Sequence, residues 1–285
     1  MDKFVINGGK KLSGQVEVSG AKNASLALMP ACILTSGTSI LYNTPELNDV
    51  YTMIKLINFI GVETSFKNHV LTINTANIVS QEAPYEYVKK MRASVYVLGP
   101  LLTKYGSAKV SLPGGCAWGP RPINLHIEGL KKMGAEIDLA EGYIIAKTKK
   151  LTGAKINFDV SSVGATANIL MAAVLAKGTT IINNAAMEPE ITNLAEFLVK
   201  MGAKINGLNT STLEIEGIDE LHPAEIATIP DRIEAGTLLI AAAITRGDIT
   251  LKNISPKLIQ SILTKLEDSG CTIENLDGDI YLNAV

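Results

Sequence analysis

Four times along the chain an amphipathic stretch closes on a glycine and is followed by two short alternating stretches joined by a tight turn. The segments are Leu56–Thr75, Gly129–Thr148, Phe197–Gly217 and Ile262–Asn283, and the glycines are Gly61, Gly134, Gly202 and Gly270. Such a glycine supplies the left-handed residue with which many helices finish. Turns such as Glu141-Gly142 and Asp277-Gly278 between alternating runs are hairpin signals. The front of each repeat recurs as well. Ala24–Leu34, Ala93–Leu102, Ala165–Leu175 and Ala235–Ile244 are nearly continuous apolar runs of helix length. Each ends at a glycine (Gly37, Gly106, Gly178, Gly247) and leads into a strand, at Thr38–Tyr42, Lys109–Leu112, Thr179–Ile182 and Asp248–Leu251. Helices that are apolar all round are expected to be buried on every side. One repeat is thus buried helix, strand, loop, amphipathic helix and hairpin, with a period of roughly 70 residues. This predicts an α/β fold with helices inside and strands outside. Ordinary Rossmann topology is excluded, because its helices each keep a solvent face.

A chain of 285 residues makes one large or two modest domains. Its net charge of −2 and lack of basic runs give nucleic acid nothing to hold. Cys32, Cys116 and Cys271 show no metal-ligand spacing, which suits a reducing compartment. The opening Met1–Gly9 reads as a strand and a turn rather than a signal peptide. No apolar run is long enough for a membrane span, and Ala235–Ile244 reads as a buried helix. A soluble, cytoplasmic protein is expected, with no nucleic-acid or membrane partner.

Aligning the repeats on the glycines that end the buried runs, Gly37, Gly106, Gly178 and Gly247, places Asn23, Arg92, Gly164 and Ile233 at one position, each about fourteen residues before its glycine at the start of a buried helix. Lys22 and Arg232 share the position before it. Helix N-termini present free N–H groups and a positive dipole end. Three of these four starts also carry Lys or Arg, which points to a polyanionic small ligand. A second set of equivalent loops, Tyr42–Asp49, Pro113–Leu125 and Ala185–Thr192, also leads into helices.

The second of those loops holds the sharpest motif, Pro113-Gly-Gly-Cys-Ala-Trp-Gly-Pro-Arg-Pro122. Glycine hinges and stiff proline segments suit a lid. A thiol there, near Arg121, can act as acid or nucleophile, although a small residue in a tight turn is the alternative. Cys32 and Cys271 read as packing residues. The chain has only four arginines, Arg92, Arg121, Arg232 and Arg246, against abundant lysine. Arginine is retained where a planar bidentate donor must meet phosphate or carboxylate. Arg246 lies in a turn and reads as a surface charge. Lys22 with Asn23 fits an anion contact or, equally, a cap with a solvated lysine. Ser161-Ser-Val-Gly-Ala-Thr166 offers backbone N–H groups to a ligand or a plain serine cap. Glu188 and Glu190 offer polar contacts at a cleft or are simply first-turn acids favoured by the dipole. His126 either orients a ligand or packs, and His69 and His222 are loop residues.

Taken together these segments resemble the enolpyruvyl transferase family, over essentially the whole chain. Pro113-Gly-Gly-Cys116 with Gly119-Pro-Arg-Pro122 and Leu125-His126 is similar to the catalytic loop of its members that act on UDP-N-acetylglucosamine. Gly20–Ala24, Met91–Ser94, Ser162–Thr166, Glu188–Ile191 and Pro230–Glu234 match in order and spacing. The shikimate branch shares the repeats and lacks the cysteine loop. The resemblance implies that the sugar 3-hydroxyl adds to C2 of phosphoenolpyruvate while C3 gains a proton, and that phosphate then leaves. Cys116 would be the general acid, also able to bond phosphoenolpyruvate and to be alkylated by fosfomycin. Lys22 and Arg121, with more arginines from elsewhere, would bind its phosphate and carboxylate, and Arg232 would contact substrate. Asn23 and Arg92 would hold substrate. Arg121, Pro122, Ile123, Asn124 and Leu125, with Ser162, Val163 and Gly164, would cradle the uridine diphosphate. No metal or cofactor is called for.

Two departures accompany the match. Asn124 stands where the family usually has Asp, keeping an acceptor but bringing no charge. The chain also counts four repeats where the family folds six, as two inside-out α/β barrels of three βαβαββ repeats each. The expectation is one complete three-repeat domain, 22–229, carrying the catalytic loop. Residues 1–21 and 230–285 would then form part of a second. The family's catalytic aspartate and further arginines belong to the fifth and sixth repeats. The chain alone is therefore expected to have little activity; the alternative is a non-catalytic nucleotide-sugar-binding fragment.

Overall fold

A computed structural model describes residues 3, 5–89, 91–112 and 123–284. Residues 5–12 form no strand, so the expected strand at the N-terminus starts later, as β1 (Ser13–Glu17). The first repeat contains α1 (Lys22–Ala31), which tightens into a 3-10 turn over Cys32–Leu34, then β2 (Thr38–Tyr42), α2 (Asn48–Ile60), β3 (Glu63–Lys67) and β4 (Val70–Asn74). The second follows as β5 (Glu82–Ala83), α3 (Tyr85–Val88), a 3-10 segment Arg92–Val97, α4 (Leu98–Tyr105), β6 (Ser107–Ser111), α5 (Asn124–Lys132), β7 (Glu136–Ala140) and β8 (Tyr143–Lys147). The third is β9 (Lys155–Asn157), α6 (Val163–Ala173), β10 (Thr179–Asn183), α7 (Pro189–Lys200), β11 (Lys204–Asn206) and β12 (Thr212–Glu216). β13 (Glu225–Ala227) leads to the fourth, α8 (Arg232–Ile244), β14 (Asp248–Lys252), α9 (Gln260–Asp268), β15 (Thr272–Asn275) and β16 (Ile280–Asn283).

Each repeat builds a separate four-stranded sheet, and among the described residues no sheet closes into a barrel. Every sheet has one plan, a parallel strand followed by a strand and its antiparallel hairpin. In the second and third, β5 lies parallel to β6 and β9 to β10. The other two exchange that strand. β13 pairs with β2, and β1 pairs with β14. The chain accordingly divides into a larger unit, Lys22–Ile229, with three sheets, and a smaller one, Met1–Ala21 with Pro230–Val285, with one. In the larger unit the strand that arrives last completes the sheet of the first repeat, so three repeats close on themselves.

Three of the hairpins turn where two left-handed residues sit side by side, at Asn68-His69 (φ 50° and 61°), Glu141-Gly142 (φ 53° and 79°) and Asp277-Gly278 (φ 49° and 96°), while the β11–β12 connection has Gly207 and Asn209 left-handed instead. The four helix-closing glycines all have positive φ. The turn before β14 differs from its counterparts. Arg246 takes the left-handed conformation there, and Gly247 is small because a Cβ would lie 2.0 Å from the carbonyl oxygen of Leu12.

Helices fill the interior of the larger unit. Every residue of α1 from Ala24 to Ala31 and of α6 from Ala165 to Ala173 is buried. α4 packs on α6, and the Arg92–Val97 segment packs on both α1 and α6. That segment was expected to be α-helical. It is 3-10 because Asn168 of α6 inserts its side chain into the helical ladder. Asn168 Nδ2 donates to the Val95 carbonyl at 2.9 Å, and the Gly99 N–H donates to Asn168 Oδ1 at 2.7 Å. The two backbone groups that an α-helix would join directly are bridged by an amide from a neighbour. Gly99 has to be glycine, since a Cβ would sit 2.4 Å from the Asn168 carbonyl oxygen.

Burial on every side does not hold for the fourth apolar run. α8 buries Ala235, Gly236, Leu239 and Ala242 against the sheet and α9, while Ile240 is 52% exposed and Ile244 81%. Its unit contains no second helix of the α1, α4 or α6 kind among the described residues, so nothing there covers the opposite face.

Candidate functional site

The larger unit gathers the starts of its buried helices with the first turns of the amphipathic ones. Lys22 begins α1, whose following residues are locked in the core, so the position of its backbone is fixed by packing. Its Nζ lies 2.9 Å from Asp49 Oδ2, in the first turn of α2. Both side chains are over a third exposed, so the pair contributes little to stability, and its consequence is to orient the ammonium. Asn23 beside it is exposed.

A second cluster joins three elements. His126 on α5 is 3% exposed, and its Nδ1 lies 2.9 Å from Asn168 Nδ2. The orientation of the Asn168 amide is set by the Gly99 N–H on its oxygen and the Val95 carbonyl on its nitrogen. His126 Nδ1 must therefore accept, which puts the ring proton on Nε2. Burial, and next the charge of Arg92, push the His126 pKa down to about 4. The imidazole is neutral at neutral pH, a hydrogen-bonding group rather than an acid–base catalyst there. Gly164 faces this ring, since a Cβ on it would be 3.2 Å from both His126 Cε1 and Nε2. Tyr96 lies against the same spot and has its pKa raised to about 12, first by burial, with Arg92 opposing and Glu190 reinforcing. Arg92 itself is half-buried at the start of the 3-10 segment.

At the start of α6, Ser162 is a cap. Its Oγ accepts from the Ala165 N–H at 3.3 Å, and its carbonyl accepts from Thr166 N at 2.9 Å. The first-turn N–H groups of Val163 and Gly164 have no acceptor within their own helix, as at any helix start. Ile123 stands at the N-cap of α5 without a side-chain cap, Asn124 is exposed and Leu125 half-buried. Cys116, Arg121 and Pro122 lie outside the described residues.

In the smaller unit Arg232 begins α8 and is half-buried. Asp231 caps that helix, accepting from the Ile233 N–H at 2.8 Å and the Glu234 N–H at 3.2 Å. Glu234 in turn accepts from the Ser19 N–H at 2.8 Å and its hydroxyl at 3.2 Å.

Chemically, helix N-termini flanked by Lys22 or Arg92 favour anions, and the neutral His126 offers a directed donor. Sequence reasoning missed Asp49, Asn168 and Asp231. A polar residue inside an apolar run was the available sign for Asn168, and an acid in a helix's first turn for Asp49. Among the described residues no group of three His, Cys, Asp or Glu is placed to hold a metal ion, and no helix is long and apolar enough to cross a membrane.

Residues 6–284 match the EPSP synthase (3-phosphoshikimate 1-carboxyvinyltransferase) family. A curated relative, the UDP-N-acetylglucosamine 1-carboxyvinyltransferase of Chloroherpeton thalassium, is 58% identical over 287 residues, covering 100% of this chain and 67% of the relative. That of Dichelobacter nodosus is 52% identical over 274 residues, 96% of this chain and 65% of its own length. Among solved structures, the enolpyruvyl transferase NikO from Streptomyces tendae superposes with a TM-score of 0.85 at 21% identity, over 98% of this chain and 67% of its own. EPSP synthase from Acinetobacter baumannii gives 0.75 at 20%, over 97% and 66%. These two share the fold.

Proposed function

Because the chain belongs to the EPSP synthase family of 1-carboxyvinyl (enolpyruvyl) transferases, we propose that it serves a particular transfer, from phosphoenolpyruvate to the 3-hydroxyl of UDP-N-acetylglucosamine with release of phosphate. That reaction is the first committed step of peptidoglycan synthesis, placed here in the cytoplasm. The observation that carries the reading is the identity of 58% across the whole chain to a relative bearing that name, against 20% to EPSP synthase.

In this proposal Cys116 protonates C3 of phosphoenolpyruvate, or bonds to C2, as the sugar hydroxyl adds. Lys22 and Arg121 hold phosphate and carboxylate and stabilise the charge that develops as phosphate leaves. Arg232 is a further substrate contact. Asn23 and Arg92 position substrate. Arg121, Pro122, Ile123, Asn124 and Leu125 with Ser162, Val163 and Gly164 cradle the uridine diphosphate. Supporting this are the oriented ammonium of Lys22, the helix start at Val163 and Gly164, and the absence of a side chain on Gly164 beside His126.

A second reading, binding without turnover, is favoured by the contrast between the units. We propose that 22–229 is a complete three-repeat domain and that 1–21 with 230–285 is part of another. The support is one sheet against three and the exposed apolar face of α8. On this view the chain alone holds the nucleotide sugar but turns over slowly.

Titrating UDP-N-acetylglucosamine while following Trp118, with shikimate 3-phosphate as control, tests the substrate. A saturable change with the nucleotide sugar only is expected, and a response to the shikimate ester alone overturns the assignment. A turnover assay separates the two readings. A rate above about 1 s⁻¹ removes the second.

A further inference from the structure

Asn168 stands fully buried in the apolar run of α6, and both ends of its amide are used. Its oxygen accepts from the Gly99 N–H at 2.7 Å. Its nitrogen lies 2.9 Å from the Val95 carbonyl and 2.9 Å from His126 Nδ1. An amide nitrogen brings two hydrogens and serves only as a donor, so both of those contacts are donations. The imidazole therefore keeps its proton on Nε2, and it cannot change tautomer without breaking a buried hydrogen bond.

The far edge of the same ring faces the start of α6. A Cβ on Gly164 would stand 3.2 Å from both Cε1 and Nε2, so the glycine keeps that edge clear of a side chain. His126 is 3% exposed, and among the described residues none accepts from its Nε2–H. A buried donor without an acceptor is costly, and a ligand oxygen at this spot would remove the cost. The free N–H groups in the first turn of α6 favour an anion there, and Arg92 is close enough for its charge to act on the ring.

On the uridine diphosphate reading above, we propose that Asn168 is a positioning residue for the nucleotide. It holds His126 as a fixed Nε2–H donor, and that N–H meets a diphosphate oxygen lying over Gly164. A bond from a neutral ring to a charged oxygen is charge-assisted and directional. The other tautomer would turn a lone pair towards the same oxygen and repel it. The choice of tautomer thus acts on affinity without altering the charge of the site. Aspartate could not replace Asn168 in this role, because a carboxylate has no hydrogen for Nδ1 or for the Val95 carbonyl.

Nitrogen NMR of the chain labelled in its three histidine rings tests this, with His126 assigned by the signal lost in His126→Phe. At pH 7 the free chain should show His126 protonated on Nε2 and bare on Nδ1. UDP should move the Nε2 resonance along its own binding curve, and uridine should leave it in place. Asn168→Leu keeps the outline of the side chain. The Val95 carbonyl and Gly99 N–H, four residues apart, can then pair directly as in an α-helix. That variant should show both tautomers and bind UDP about tenfold more weakly, whereas in the His126→Phe background the same substitution should cost less than about threefold. A free ring protonated on Nδ1, a shift as large with uridine as with UDP, or equal costs in both backgrounds overturns the proposal. Failure of the parent chain to bind UDP removes the substrate reading and this inference together. Binding that leaves Nε2 unmoved removes this inference alone.

Discussion

His126 Nδ1 accepts a hydrogen bond of 2.9 Å from the same Asn168 amide that interrupts the helical ladder between Val95 and Gly99. One side chain thereby fixes three things: the 3-10 path that carries Arg92, the start of α4, and the tautomer of the imidazole next to Gly164. Tying the arginine-bearing segment and the histidine to one amide makes their spacing a property of α6 packing rather than of loop conformation.

That arrangement has a pH signature. The His126 pKa is about 4 in the folded chain, against about 6.5 when exposed. Between those values the unfolded chain binds the extra proton, so stability is complete above pH 6.5 and drains away as pH falls towards 4. The loss from this group alone is about 3 kcal/mol. Denaturant titrations at pH 7 and pH 4.5 should show His126→Gln starting lower yet losing less than the parent over that interval. Parallel losses would remove His126 as the cause.

Lys22 and Asp49 form a pair of a different sort, 2.9 Å apart but over a third exposed on both sides. Asp49→Asn should change unfolding free energy by less than about 1 kcal/mol. If Lys22 anchors phosphoenolpyruvate, loss of the Asp49 charge loosens the orientation of its ammonium. Affinity for that ligand, by calorimetry with the nucleotide sugar present, should then fall about tenfold, or about 1.4 kcal/mol. A drop in stability with unchanged affinity would make the pair purely structural.

Thiol chemistry should separate the cysteines. Cys32 is fully buried, and burial pushes its pKa to about 12, so almost no thiolate is present at neutral pH. Cys116, in the glycine-proline loop, is the expected target of fosfomycin-type epoxides. Intact-mass measurement on the folded chain should show one adduct, abolished by Cys116→Ser. An adduct surviving that substitution would move the reactive thiol elsewhere.

The repeat was readable because its punctuation is local. Gly61, Gly134, Gly202 and Gly270 each need a left-handed residue, and runs such as Thr38–Tyr42 alternate where a sheet has one wet face. The helix starts bearing Lys22, Arg92 and Arg232 followed from aligning the other set of glycines, Gly37, Gly106, Gly178 and Gly247, which end the buried runs. What stayed hidden depends on distant partners. Nothing around Val95 announces a 3-10 segment, since its cause is an asparagine on another helix. Asp49 is an ordinary first-turn acid until Lys22 is seen across from it. Strand exchange, with β13 on β2 and β1 on β14, leaves no mark on composition, because either pairing satisfies the same short apolar strands.

The same limit explains α8, whose sequence resembles its buried counterparts while its surroundings do not. An all-round apolar helix announces a capacity for burial, and the number of neighbours decides how much is used. Ile244, 81% exposed, has little packing to lose, so Ile244→Lys should shift stability by no more than about 0.5 kcal/mol. Leu170, fully buried in α6 among three repeats, should cost about 2–5 kcal/mol when cut to alanine. Chemical denaturation of both variants, with a dye that reports exposed apolar surface, checks the contrast. Ile244→Lys should also lower dye binding to the folded chain, since the isoleucine belongs to an open apolar face. A loss above about 2 kcal/mol at Ile244 would mean that the face is covered in solution. Dilution would then show whether a second copy of the chain provides the cover, because a self-associated face becomes less stable as concentration falls.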